Sequence, residues 1–547
     1  MGSNDLVSPK YNPNNKTTHP MATKEEFIQT IQTAYSFSDT TIELGGAMYK
    51  GESLPQTLVR VPVKMLNRHG LIAGATGTGK TKTLQLFAEK LSQNGIPVLL
   101  MDIKGDLSGI AATGDPNNSR ALERHQKIGV PYKVSANPVE FLTISGEKGA
   151  RLKATVTEFG PVLFSKILGL NDTQSGAVSV VFKYCDDIQL PLLDLKDFKK
   201  TLSYLAEEGK AEITAEYGAI STATVGTIIR KVLELEQQGA EIFFGEPSFE
   251  VEDLCRIDLE TGRGVVNIIR LTDLQDRPKL FSTFMLQLLA EVYASFPEEG
   301  DLDAPKLCIF IDEAHLVFSE ASPVLLNQIE AIIKLIRSKG IGIFFITQNP
   351  ADIPNAVLGQ LGLKVQHALR AFTAKDRKDI KAAAENYPES KFYKVEDELT
   401  ELGIGEAFVT VLGPKGTPTP LVHTLMCSPG SRMDVLTPME LDGLVAKSKL
   451  ANKYNKVIDP QSAYEILGAK IQQAQLADQQ AELQRQQEKA RAEQLKQQQK
   501  EASKRKPEKN IVEQVLTSSV GKQVTKTVFN ELARGLLGVL GLGGKRR

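Results

Sequence analysis

Cysteine is scarce in this 547-residue chain, and its four copies, Cys185, Cys255, Cys308 and Cys427, stand far apart. That spacing argues against a disulfide framework or a zinc knuckle and places the protein in a reducing cytoplasm. Long apolar runs are also missing. None approaches the roughly twenty residues that a transmembrane span requires. The first twenty residues are polar, lack the apolar core of a secretory signal, and read as a disordered leader, 1–20. No charge of one sign dominates, since 65 Lys and Arg face 66 Asp and Glu, a formal net charge of −1. Any nucleic-acid contact must therefore come from a local patch or a pore lining. What is present, 41% hydrophobic and 24% charged residues, is ordinary for a soluble globular protein long enough for more than one domain.

One stretch organises the chain. Leu71, Ile72 and Ala73 read as a buried strand, and Leu84, Leu86, Phe87 and Leu91 fall at helical spacing. Between them lie Gly74, Ala75, Thr76, Gly77, Thr78, Gly79, Lys80 and Thr81, the Gly–four residues–Gly-Lys-Thr pattern of a phosphate-binding loop, with Lys82 directly after. Glycines let successive backbone N–H groups turn toward phosphate oxygens, and the helix offers its positive end to the same anion. In this pattern Lys80 reaches the β- and γ-phosphates of ATP and the Thr81 hydroxyl binds Mg²⁺.

In chain order, a short N-terminal α/β region (21–66) is expected to hold a helix at 25–35 and strand-like pieces at 41–44 and 58–63. The core, 67–148 and 247–428, alternates apolar runs with helices. Its strands are expected at 97–102, 130–134, 139–144, 264–271, 306–311, 341–346 and 362–369, with a closing hairpin at 407–412 and 419–426. Such alternation predicts an α/β fold, a mostly parallel sheet covered on both faces, with ligands beyond the carboxyl ends of its strands. Residues 149–246 change to amphipathic helices, for example 152–168, 194–207 and 222–237. They read as a helical insertion, either a spacer or a docking module. A linker with small helices (429–468) precedes a Gln-rich charged segment (469–509), an exposed helix or disordered. In the last segment, 510–547, Val512, Leu516, Val520, Val524, Val528 and Leu532 recur every four residues, so their stripe winds slowly around the helix. It reads as a docking or self-association helix for a protein partner, an interfacial membrane contact, or disorder.

Two acids, Asp312 and Glu313, close the apolar strand at 306–311. The first suits the Mg²⁺ shell and the second suits polarising a water for attack on the γ-phosphate; an ordinary helix cap is the alternative. Gln348 ends the next strand, either sensing the γ-phosphate or turning the chain before Pro350. Arg337 and Arg370 are the candidates for neutralising charge on the transferring oxygens, and each is equally suited to a structural ion pair. Asp102 and Asp106 belong either to the site or to a helix start. His315 receives no role.

Together, the loop at 74–81, the stretch DIKGDLSG at 102–109, the run at 309–315, Arg337 with Gly340, and Thr347-Gln348-Asn349-Pro350 resemble the HerA/FtsK superfamily of motor ATPases. The likeness is to the bacterial YjgR-like group with the HerA-type C-terminal domain. It covers 67–427, and the end of the chain, 534–547, is also similar to that group. The resemblance implies a RecA-like (ASCE) P-loop ATPase core that hydrolyses ATP with Mg²⁺. It also implies a ring, commonly a homo-hexamer, around double-stranded DNA or another polymer. ATP then sits between subunits, and an arginine from the neighbour, Arg337 first and Arg370 second, completes each site. The expected function is thus a helicase-like DNA translocase of the cytoplasm. Its rivals are a secretion- or conjugation-type ATPase moving protein or nucleoprotein, and an ATP-gated scaffold.

Overall fold

Short apolar runs buried on both faces can only be interior strands, and they assemble here into the parallel part of one sheet. The structure, a computed structural model, describes residues 23–300, 302–319 and 323–504. Its strands among those residues are β1 (Thr41–Tyr49), β2 (Glu52–Pro62), β3 (Gly70–Ala73), β4 (Val98–Asp102), β5 (Val139–Thr143), β6 (Ala150–Arg151), β7 (Val266–Arg270), β8 (Leu307–Ile311), β9 (Ile341–Thr347), β10 (Leu363–Gln366), β11 (Glu406–Thr410) and β12 (Val422–Met426). They form a twelve-stranded sheet in the order β2-β1-β12-β11-β10-β3-β9-β8-β4-β7-β5-β6. From β10 to β6 every pairing is parallel, whereas β2, β1, β12 and β11 extend it antiparallel.

The register fixes the site. Ile72 of β3 lies opposite Ile346 of β9 and Val365 of β10, so the strand that carries the phosphate loop is clamped between two parallel neighbours. Beneath it the rings of Phe310 and Phe344 stack with centroids 4.6 Å apart, and Phe87 from the following helix, Lys80–Gln93, packs on both. All three rings are fully buried.

The N-terminal region adds to this sheet through β1 and β2. Its helix, Lys24–Ala34, is capped by the Thr23 hydroxyl, which accepts from the Glu26 N–H, and it buries Phe27 and Ile31. Phe27 stacks on Tyr49 at 5.0 Å. Both strands run longer than the apolar pieces at 41–44 and 58–63 indicate, because pairing to β12 carries β1 through Gly45 and Gly46.

The insertion is helical, with Val156–Ile167, Asp172–Asp187, Leu195–Ala206 and Thr222–Gln237 as its longer helices. Phe159, Phe164, Phe182, Phe198, Phe243 and Phe244 form its aromatic centre, and Phe243 reaches Phe284 of the core helix Pro278–Ser295. The first of these helices starts later than the apolar run at 152, where Thr155 and Glu158 form a reciprocal cap. Residues 130–134 are not a strand. Pro131 has no N–H to give a ladder, and the Val130 N–H instead donates to the His125 carbonyl at the preceding helix end.

The chain divides into two compact units, Met1–Leu467 and Gly468–Arg547. The second is described up to residue 504, the end of helix Ala463–Lys504, whose side chains from Gln472 to Glu501 are exposed, as its Gln-rich charged composition requires. The expected leader, 1–20, and the four-residue stripe of 510–547 lie outside the described residues. Among the described residues no helix is long and apolar enough to cross a membrane.

Removing the Phe310 ring leaves a cavity against Phe344 and Phe87, beside the root of β3. Phe310→Ala should lower stability by about 3–5 kcal/mol, read as a lower midpoint in urea unfolding, while Leu259→Ala, at an exposed position, should change it by less than about 0.5 kcal/mol.

Candidate active site

The loop after β3 is held from both sides by main chain. The Gly74 N–H donates to the Thr347 carbonyl at 3.3 Å and the Ala75 N–H to the Ala368 carbonyl at 2.8 Å, while the Thr78 carbonyl accepts from Gly405 at 2.9 Å. Gly74 has φ +151°, and a Cβ there would stand 2.5 Å from that of His367, so glycine is required at this crossing. Gly79 caps the helix Lys80–Gln93 in the left-handed region, with no side chain bonded to the first turn and no acid within it. The free N–H groups of that turn are what an anion needs.

Lys80 lies folded over the loop, donating to the carbonyls of Gly74 at 2.6 Å and Ala75 at 3.1 Å. Burial and the charge of Lys104 lower its pKa, opposed by Glu313 and Asp312. The lysine and the acid pair are therefore close enough to act on one another through their charges. Asp312 is 3% exposed, and burial pushes its carboxyl up to about 6 against the pull of Lys104. A buried acid of this kind favours the presence of a cation. Burial also works to raise Glu313, yet the ammonium of Lys104, bonded to its Oε1, overcomes this and leaves the carboxyl below its usual range. The other oxygen, Oε2, is buried without a hydrogen bond, with His315 Nδ1 3.2 Å away. Glu313 adopts φ +46°, a strained conformation for a residue with a Cβ, at the turn leaving β8.

Gln348 sits between loop and acid. Its Oε1 is 3.4 Å from the Thr76 hydroxyl and its Nε2 3.5 Å from Glu313 Oε1, long contacts that leave room to tighten. Arg370 follows β10 and, with Thr76, Gln348, Asn349 and Phe372, lines a cavity of about 550 Å³ in front of the loop. Thr81 occupies the first turn of the helix, half-buried. Thr81 and Asp312 are the residues that could hold a magnesium ion.

Three sequence candidates stand elsewhere. Lys82 donates to the Met433 carbonyl and to Gln85, so its ammonium holds the segment beyond the core. Asp102, pushed up to about 7 by burial and by Asp106, accepts from the N–H groups of Gly105, Asp106 and Leu107 at 2.7, 3.2 and 3.2 Å and shapes the turn that carries Lys104. Arg337 lies in the short helix Arg337–Lys339 before β9, at the end of the sheet away from the loop. The seven residues of β9 span about 20 Å, so Arg337 does not enter the site of its own chain.

The family model for the helicase HerA-like C-terminal domain matches residues 48–547. The chain belongs to that family. This HerA-like protein is accordingly an ATP hydrolase of the HerA/FtsK type. It is 24% identical over 425 residues to the DNA double-strand break repair helicase HerA of Sulfurisphaera tokodaii, covering 74% of this chain and 72% of that protein. It is 23% identical over 393 residues to the same-named protein of Saccharolobus solfataricus, covering 71% and 69%. Among solved structures, the plasmid coupling protein TrwB with a non-hydrolysable GTP analogue gives a TM-score of 0.48 at 14% identity, over 75% of this chain and 95% of that one. VirB4 of Thermoanaerobacter pseudethanolicus gives 0.44 at 17%, over 74% and 99%.

Two residues of this HerA-like site were not singled out from the sequence. Lys104 stood inside a recognised stretch without a role, and only its distance to Glu313 reveals one. His367, fully buried, bridges the Thr83 hydroxyl at 2.9 Å and the Glu406 carbonyl at 2.8 Å, tying the helix of the loop to β10 and β11. At the other end of β3, His69 Nε2 donates to the Ile333 carbonyl at 2.9 Å and Nδ1 accepts from the Ile343 N–H at 3.0 Å. That pairing accepts only the neutral ring, and burial, with the nearby Arg337, lowers the pKa of His69 to about 4. Because the folded-state pKa lies below the unfolded value, its contribution is complete above about pH 6.5 and is lost as pH falls toward 4. Acidification from pH 7 to 4 should cost on the order of 3 kcal/mol through His69. Urea unfolding across that range checks it: His69→Gln should be less stable at pH 7 yet lose less on acidification than the wild type.

Proposed function

We propose that this ATPase is a ring-forming, Mg²⁺-dependent motor of the cytoplasm that moves along double-stranded DNA. The observation that carries the ring is the position of Arg337. The nucleotide needs a cation beyond Lys80, and an arginine about one sheet-length away from its own loop can meet only a loop on another subunit. A closed ring of equivalent head-to-tail contacts gives every copy such a partner. Duplex DNA is the substrate that fits the HerA relatives, which are DNA double-strand break repair helicases. A chain with net charge −1 would meet it through a local basic lining.

In this reading the loop N–H groups and Lys80 orient the triphosphate. Thr81 and Asp312 hold Mg²⁺, which when bound neutralises charge on the β- and γ-oxygens. Glu313 accepts a proton from the attacking water, and Gln348 fixes that water against the γ-phosphate. Arg370 faces the same cavity from its own chain and serves as a second, cis cation.

Long duplex DNA should raise the ATPase rate at least about tenfold, and Lys80→Ala should remove turnover with and without DNA. An unstimulated rate would count against DNA as the substrate. Arg337→Ala should lower turnover by about 10³-fold or more. Mixing Arg337→Ala with Lys80→Ala subunits should restore part of it, because some interfaces then join an intact loop to an intact arginine. No recovery at any ratio would refute the shared site.

A further inference from the structure

Lys104 forms an ion pair with Glu313, and nothing in the proposed hydrolysis uses it. Its turn is held by Asp102, whose carboxylate accepts three successive N–H groups, so the lysine backbone is fixed. The two side chains differ in freedom. That of Lys104 is 37% exposed, while that of Glu313 is 7% exposed on a left-handed backbone. Of this pair the lysine can swing and the glutamate cannot.

The ammonium makes this carboxylate a poorer base: one lone pair of Oε1 accepts from Lys104, and the second oxygen, Oε2, lies buried beside His315. Lys104 also bears on Lys80 through its charge, so the two ammonium groups are near neighbours. A terminal phosphate entering the site brings more negative charge than one carboxylate and three acceptor oxygens, and it competes for a mobile ammonium. ADP, which lacks that group, does not.

We propose that Lys104 is a positioning residue that restrains Glu313 in the absence of triphosphate and transfers to the γ-phosphate when ATP binds, releasing Glu313 to face water. The inference rests on the ATPase reading above and adds a gate to it. Hydrolysis becomes possible only where a γ-phosphate has taken the lysine, and the base is covered again once phosphate leaves.

The test uses full-length protein and fluorescent ATP and ADP analogues, with Lys104→Met and Lys104→Arg beside the wild type. Lys104→Met should bind ADP within about twofold of wild type, which also reports that it is folded. It should lose about tenfold or more of the preference for ATP over ADP, and about 10²-fold in single-turnover hydrolysis. Lys104→Arg should recover most of the preference, since it keeps the charge. An unchanged ATP-to-ADP ratio in Lys104→Met would overturn the proposal, as would equal weakening of both nucleotides. A wild-type protein that binds neither nucleotide would instead sink the ATPase reading itself.

Discussion

A single chain crossing sets the geometry of this molecule. β3 leaves the sheet between β9 and β10, and its loop is bonded to the carbonyls that end both, Thr347 on one side and Ala368 on the other. A parallel sheet brings all its carboxyl ends to one edge, so the clamp that shapes the loop also brings Gln348 and Arg370 to it. The acid pair is one strand further on, beyond β9. Gly74 is the pivot, because a side chain there would collide with His367 and force β3 and β10 apart. His367 in turn holds Thr83 on the helix behind the loop. Strand, loop and helix are therefore one rigid assembly, and the movable parts of the site are the long side chains above it.

Much of this was legible in the sequence because the parallel strands are buried on both faces and read as unbroken apolar runs. The runs at 97–102, 306–311 and 341–346 each end in polar residues, and each became a strand ending at the site edge. The antiparallel strands were harder to delimit. β1 carries Gly45 and Gly46, and cross-strand pairing to β2 and β12, which no local pattern records, carries it through. Helices with weak apolar periodicity were also missed. Ser119–Ile128 buries only Ala121, His125 and Ile128, so its signal is faint.

Lys82 shows where a motif outruns its geometry. It directly follows the phosphate-loop threonine, so sequence position alone places it near nucleotide. On the helix, however, Lys82, Gln85 and Glu89 share a face at three- and four-residue steps, and that face turns away from the loop mouth. Gln85 donates to the Ser431 hydroxyl and the Arg432 carbonyl, and Glu89 accepts from the N–H groups of Gly430 and Ser431. These buried polar side chains bind the segment just beyond β12 along the back of the helix. Glu89 is buried enough for its pKa to rise despite three hydrogen bonds. A buried polar network of this kind is costly unless every member is satisfied, so it fixes one path for the chain. The segment read as a linker is thus built into the ATPase core through the same helix that presents its N-terminus to phosphate.

The two arginines separate for the same reason that the loop is well formed. Arg370 follows a strand whose carboxyl end lies at the site, whereas Arg337 precedes one, and in a parallel sheet these are opposite edges. Sequence proximity to the Gln348 strand could not distinguish them, since both flank it. The strand direction does. Arg337 stands beside His69, whose neutral ring bonds Ile333 and Ile343 and so ties the helix before β9 to the root of β3. Arg337 therefore stands at the far end of the sheet from its own loop. In the proposed ring, the direction of one set of parallel strands would fix both the site of each chain and the place at which a neighbour receives this arginine.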